Sequence, residues 1–239
     1  MQVFNPHDPN VAMLERVARS LGSELCSQFV FVGGAAAGLL ITDLASPAVR
    51  RTDDVDIITS AKDLADYYRF EDRFRSLGFV QDPSGDAPVC RWRVDGVAVD
   101  LLPTHEEILG FTNRWYRMSV ATALTLTLPS GKPIRVLRAP EFMATKLEAF
   151  YGRGGGDYLF SHDMGDIIGL IDGRASLLNE CKDSLAPLRL YLATQFEQLL
   201  TQRRFHDALP GHLPPDPASQ ARLPDLMIKI QKISELPTT

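Results

Sequence analysis

Apolar residues recur at helical spacing near the start of the chain: Val11, Leu14, Val17, Leu21 and Leu25 share one face, behind Asp8 as an N-cap and Pro9 at the first helical position. The period then changes. Phe29 to Val32 is a short, continuously apolar run that reads as a buried strand, and the turn Gly33-Gly34 leads into Ala35-Ala-Ala-Gly38-Leu-Leu, a small-residue segment predicted to be helical. Asp54 to Thr59 is the next strand. Ser60 is predicted to cap a helix with a stripe at Leu64, Tyr68, Phe74 and Leu77, ended by Gly78.

Two hairpins follow. Val89 to Val94 and Val97 to Leu102 flank Asp95-Gly96, a dipeptide whose two positions tolerate positive φ and suit a two-residue turn. Ala123 to Leu128 and Ile134 to Leu137 flank the turn Pro129-Ser-Gly-Lys132. After that the pattern is helical: Pro140 to Phe150, a glycine-rich loop from Gly152 to Gly156, then about Ser161 to Ile171 and Ser176 to Leu209. Pro210 to Pro224 is proline-rich and reads as an extended linker, leaving Leu226, Met227, Ile230 and Ile233 on one face of a terminal helix. The expectation is a mixed-sheet α/β (α+β) core over residues 1–138, a helical domain over 139–209 that contributes to the site, and a linker with a short helix over 210–239.

The chain has 239 residues, 45% of them hydrophobic, which is enough for a real core. No run approaches the ~18 apolar residues of a membrane span, and the N-terminus has no basic stretch followed by an apolar segment, so a cytoplasmic protein away from the membrane is expected. Cys26, Cys90 and Cys181 are widely separated and odd in number, which favours buried thiols over a disulfide framework. A net charge of −5 argues against a surface that grips nucleic acid everywhere, although cationic residues cluster locally, as in Arg91/Arg93 and Arg114/Arg117 beside Trp92 and Trp115. Those tryptophans either stack a base or pack in the core. His105, His162 and His206 have no spacing that joins them into a zinc site or triad.

The chemistry concentrates in Asp54 and Asp56. Residues i and i+2 of a strand project to the same side, so the two carboxylates stand together and repel unless a cation neutralises them. Carboxylate oxygens with substrate phosphates are what Mg²⁺ prefers. A two-metal phosphoryl-transfer site, with ions about 3.5 to 4 Å apart, wants a third acid, and Asp100 at the end of an apolar strand is the candidate, as metal ligand, general base or both. Gly33 and Gly34 fit a backbone turn that lets phosphate approach the start of a helix. Arg51 either pairs with Asp53 or reaches a phosphate, and Arg153 is a second phosphate contact or a loop charge.

Val32-Gly33-Gly34-Ala35, Arg51-Thr-Asp-Asp54-Val-Asp56, Val99-Asp100-Leu-Leu-Pro, Lys146-Leu-Glu-Ala and His162-Asp163-Met-Gly-Asp166-Ile, in that order, resemble the AbiEii/AbiGii-type nucleotidyltransferases. These are toxin components of bacterial toxin–antitoxin and phage-defence systems, built on the polymerase-β-like nucleotidyltransferase fold. The resemblance spans residues 29 to 171 or so. It implies an NTP substrate, Mg²⁺, transfer of a nucleoside monophosphate to a hydroxyl acceptor, which in several relatives is the 3′ end of tRNA, and a cognate antitoxin as partner. It assigns Asp54 and Asp56 to the metal-binding acids, Gly33 and Gly34 to the nucleotide turn, Lys146 to the lysine that meets the triphosphate, and Asp163 to the acid of an Arg-Asp-x-x-Asp pattern.

This chain departs from that pattern in three places. His162 stands where the family has arginine, the Gly154-Gly-Gly156 loop lengthens the distance from Lys146 so that Asp157 and Asp166 compete with Asp163, and Gly34 offers only an amide where many relatives have a serine. Two other readings stay open: an antibiotic-modifying nucleotidyltransferase, which shares the glycine and acid pattern, and a nucleotide-binding or antitoxin-partner module without turnover.

Overall fold

Short apolar runs divided by glycine and aspartate turns build one seven-stranded mixed sheet. The structure, a computed structural model, describes residues 4–43, 45–153 and 156–237. It divides the chain into two units, Met1–Leu39 with Arg50–Arg138, and Leu40–Val49 with Ala139–Thr239.

The first unit runs through α1 (Pro9–Gln28), β1 (Val30–Val32), the body of α2 (Gly33–Leu40), β2 (Asp54–Thr59), α3 (Leu64–Ser76), β3 (Val80–Gln81), β4 (Arg91–Val94), β5 (Val97–Pro103), α4 (Glu106–Leu109), α5 (Tyr116–Thr122), β6 (Leu124–Thr127) and β7 (Pro133–Val136). The strand order is β3-β4-β5-β2-β1-β7-β6. β2 lies parallel to β5 and β1 parallel to β7, while the other neighbours are antiparallel. Asp95 and Gly96, at φ +46° and +74°, close the β4–β5 hairpin in the left-handed conformation that their sequence suits.

Asp8 caps α1 by accepting from the backbone N–H groups of Asn10 and Val11, and Val11, Leu14, Val17, Leu21 and Leu25 are all buried, as their spacing predicts. α3 differs from the expectation. Asp63, not Ser60, accepts the capping bond, from the N–H of Asp66, and the buried residues are Tyr67, Glu71 and Phe74, while Leu64, Tyr68 and Leu77 are exposed. An aromatic cluster decides which face turns inward: Phe74 meets Phe29, Phe79 and Trp92 at ring-centroid distances of 5.8, 4.4 and 5.6 Å. Trp92 is fully buried, so it is a core residue, and strand alternation sends its neighbour Arg91 to the opposite face of the sheet.

The second unit is helical: α6 (Ala139–Arg153), α7 (His162–Gly173), α8 (Leu177–Lys182), α9 (Ala186–Thr201), α10 (Arg203–Ala208), a 3₁₀ turn (Leu209–His212), α11 (Pro217–Gln220) and α12 (Leu223–Ser234). The helical pattern expected over 176–209 resolves into three helices, divided before Pro187 and at Gln202. The segment from Pro210 to Pro224 is not an extended linker. Pro210, Pro217 and Pro224 sit in the first turns of the 3₁₀ turn, α11 and α12, where a missing N–H costs nothing, Pro214 and Pro215 lie between the 3₁₀ turn and α11, and the Gln220 amide donates to the carbonyls of Pro210, Leu213 and Pro214. Residues 40–49 join this unit because the N–H groups of Thr42 and Asp43 both donate to the Gly173 carbonyl at 2.9 Å, and Arg174 donates to that of Leu40. Among the described residues no helix is long and apolar enough to cross a membrane.

Phe74→Ala would empty the centre of the aromatic cluster, and urea unfolding is expected to show a loss of about 3 to 5 kcal/mol.

Candidate functional site

Asp54 opens β2, and alternation places Asp54 and Asp56 on one face while Val55 and Ile57 are fully buried on the other. Strand register adds the rest. Asp56 pairs with Asp100 of β5, and Asp100 pairs with Arg91 of β4, so Arg91, Asp100 and Asp56 form one row across three neighbouring strands. Arg91 Nε donates to Asp100 Oδ1 at 2.8 Å. Its Nη2 donates to Asp100 Oδ2 at 2.8 Å and also to Asp54 Oδ2 at 2.7 Å. The hydrogen bond to Asp100 raises the Arg91 pKa above its ordinary value, burial works against this, and the charges of Asp100, Asp54 and Asp56 add to the rise.

Two carboxylate oxygens from adjacent strands therefore converge on one cationic nitrogen. Hard oxygen donors in that arrangement suit Mg²⁺. Among the described residues, however, no three His, Cys, Asp or Glu side chains are grouped to hold a metal together. The Asp56 carboxylate lies against Gly33 instead. Gly33 sits at φ +70°, and a Cβ there would overlap Asp56 Oδ2 and stand 2.7 Å from its Cγ. The residue must be glycine both for its backbone and for the carboxylate packed on it. Gly34 is buried in the first turn of α2.

Asn10 belongs to no motif, yet it fixes the chain ahead of the acids. Its Oδ1 accepts from the N–H and hydroxyl of Thr52 at 3.0 and 3.3 Å, and its Nδ2 donates to the Arg50 carbonyl at 2.9 Å. Arg51 between them is exposed.

In the helical unit Lys146 on α6 is buried between two carboxylates of α7, with Nζ 3.0 Å from Asp163 Oδ1 and 2.6 Å from Asp166 Oδ2. It is held in place rather than extended into solvent. Arg153 grips Asp163 from the other side through Nε and Nη2, both at 3.0 Å, while its side chain is 73% exposed. Burial opposes the Lys146 charge, but Asp166 and Asp163 outweigh it and raise its pKa. Burial likewise opposes ionisation of Asp163, and the Arg153 hydrogen bond with the Lys146 charge overcomes it and holds the carboxyl below its ordinary value. Ser161 caps α7 by accepting from the N–H of Met164.

The remaining candidates separate from these clusters. Asp157 accepts from the N–H groups of Leu159 and Phe160 and organises its own turn. Gly154 and Gly155 of the glycine-rich loop lie outside the described residues. His162 is exposed, Trp115 is buried, and Cys26, Cys90 and Cys181 are buried free thiols. Burial pushes the first two thiols up to about 11 and about 12.

No family model matches the chain, and no curated protein matches it. Among solved structures it is similar to the solution structure of the antibiotic-resistance factor ANT(2'')-Ia, at 12% sequence identity and a TM-score of 0.46, over 80% of this chain and 95% of that one.

Gly33→Ala is expected to destabilise the protein by about 2 kcal/mol or more in urea unfolding, since it adds a strained φ to a carboxylate overlap. Lys146→Met leaves two buried acids facing each other and should cost about 3 to 5 kcal/mol. The wild-type contribution has a defined pH window. A depressed Asp163 pKa gives stability that is complete above the unfolded value near ~3.9 and is lost as pH falls through the folded pKa; a raised Lys146 pKa gives stability that is complete below the unfolded value near ~10.4 and is lost as pH rises through the folded one. Unfolding midpoints measured across pH should show both declines in the wild type, and Lys146→Met should lack the alkaline decline due to this group.

Proposed function

We propose that this protein is a Mg²⁺-dependent nucleotidyltransferase that moves a nucleoside monophosphate from an NTP to a hydroxyl acceptor, and that the acceptor is RNA, with the 3′ end of tRNA the first to test. The observation that carries the reading is the convergence of Asp54 and Asp100 on one cation position, beside a positive-φ glycine that opens a helix. The resemblance to AbiEii/AbiGii-type toxins supports the choice of acceptor, a role in toxin–antitoxin or phage defence, and a cognate antitoxin as partner.

Asp54 and Asp100 are the residues that would hold Mg²⁺, with Asp56 on the same strand face as the further acid that the resemblance assigns to it, and the ion when bound would supply charge neutralisation to the acids and the triphosphate. The backbone N–H groups in the first turn of α2 orient phosphate oxygens, and Arg51, exposed just ahead of β2, adds a phosphate contact. Arg153, in the helical unit, keeps an exposed guanidinium while it holds Asp163. Lys146, already shared by two carboxylates, first joins α6 to α7. In the transfer, the acceptor oxygen bonds to the α-phosphorus, the bond to the α,β-bridging oxygen breaks, pyrophosphate leaves, and the hydroxyl proton passes to water.

One observation favours a second reading. Arg91 already neutralises Asp54 and Asp100, which suits a nucleotide-binding module without turnover. Incubating the protein with Mg²⁺, each labelled NTP and either total RNA or aminoglycosides separates the possibilities. Label in tRNA supports the proposal, label in the aminoglycoside moves the acceptor to a small molecule, and NTP binding by calorimetry without product supports the second reading. Asp54→Ala and Asp56→Ala are each expected to lower transfer by at least about a hundredfold; full activity in either variant would remove the proposal.

A further inference from the structure

We infer that Arg91 is a resident counter-ion of the acid site, and that a divalent cation enters by displacing its Nη2 from Asp54 while Nε keeps its hold on Asp100. This rests on the metal-dependent reading of the same acids. It adds a residue that no motif marks and assigns it control over metal loading.

The geometry divides the guanidinium into two parts with different duties. Nε and Nη2 form a fork on the two oxygens of Asp100, at 2.8 Å each, and that carboxylate is buried, with a side chain 10% exposed. The contact to Asp54 is one further bond from the same Nη2, to a side chain that is 33% exposed. Water reaches Asp54 more readily than Asp100, so the Asp54 bond is the weaker of the two. A hydrated divalent ion arriving from solvent meets Asp54 first.

Arg91 and the ion then compete for the same place. The oxygen atoms that accept from Nη2, Asp54 Oδ2 and Asp100 Oδ2, are those that converge on one point, and a guanidinium nitrogen and a metal ion cannot both stand there. Their like charges add to the exclusion. Swinging Nη2 aside frees Oδ2 of both acids, while the Nε bond to Asp100 Oδ1 can persist. Asp100 would then offer the metal one oxygen and stay oriented by the other. Before the ion arrives, Arg91 performs the neutralisation that Asp54 and Asp100 require, together with Asp56 one strand-pair away. The metal-free protein is thereby kept from the repulsion of three acids on one sheet face, and its affinity for a divalent cation is set below what the acids alone would give.

Calorimetric titration of Mn²⁺ into the full-length, nucleotide-free protein tests this, comparing wild type with Arg91→Gln and Arg91→Lys. Arg91→Gln is expected to bind Mn²⁺ at least about tenfold more tightly, with Arg91→Lys, which keeps a charge, raising affinity less. In EDTA the melting temperature of Arg91→Gln should fall below wild type, and Mn²⁺ should close the gap. Should Arg91→Gln fail to fold, the wild-type protein still decides: the side-chain ¹⁵N resonance of Arg91 should move on Mg²⁺ titration with the midpoint found by calorimetry with the same ion. Equal or weaker Mn²⁺ binding by Arg91→Gln, an Arg91 resonance that stays fixed while Mg²⁺ binds, or no divalent binding by any of these proteins would overturn the inference. Transfer assays on the same preparations keep it apart from the functional reading. Tighter binding with no transfer by wild type or variant leaves the counter-ion role standing and removes the transferase, and transfer by wild type with unchanged Mn²⁺ affinity does the reverse.

Discussion

The register among β2, β5 and β4 is the constraint on which the candidate site depends. Side chains alternate across a strand, so a slip of one residue would send Asp54, Asp56 and Asp100 to the apolar face and their neighbours to the polar one. Hydrophobic burial prevents that slip. Val55, Ile57, Val99 and Trp92 are all fully buried, and Trp92 is locked edge-on against Phe74. The aromatic layer on one face of the sheet thereby decides which residues stand together on the other. Acids brought so close repel, and Arg91, directly opposite Asp100 in the hairpin, offsets the cost.

The helical unit meets a related electrostatic problem with a different arrangement. Asp163 and Asp166 lie one turn apart on α7, both buried, and Lys146 from α6 fits between them. Such buried ion clusters gain little over a well-packed apolar contact, because desolvation takes back most of the Coulomb attraction. Their effect here is to fix how α6 and α7 face each other, since a shift along either helix would strand a buried charge. Asp163 also sits in the first turn of α7, where the helix dipole favours a negative group.

Much of this was legible in the sequence where a residue's role is local. The Asp8-Pro9 cap, the α1 stripe and the Asp95-Gly96 turn follow from short-range rules, and all appear. The Arg91–Asp100 pair was also within reach: a two-residue turn at 95 and 96 pairs Val94 with Val97, and counting outward sets Arg91 against Asp100. The third partner, Asp54, depends on a parallel pairing made after a long crossover, which local pattern does not fix. Ser60 was a plausible cap, but Asp63 and the aromatic cluster gave α3 its actual start and face. The prolines between 210 and 224 read as an extended linker because proline breaks helices from within; here Pro210, Pro217 and Pro224 each stand in the first turn of a helical element. Gly33 looked like a phosphate turn from its position, and its contact with Asp56 became visible only once β1 and β2 were side by side.

The central claim is that Asp54 and Asp100 share a single cation position now held by Arg91 Nη2. Anomalous diffraction from crystals soaked with Mn²⁺ and a non-hydrolysable NTP tests it most directly. The account predicts an anomalous peak within coordination distance of Asp54 Oδ2 and Asp100 Oδ2, with Arg91 Nη2 moved off Asp54. A crystal with ordered nucleotide in which Arg91 still bridges both acids, and in which no peak lies beside them, would contradict it.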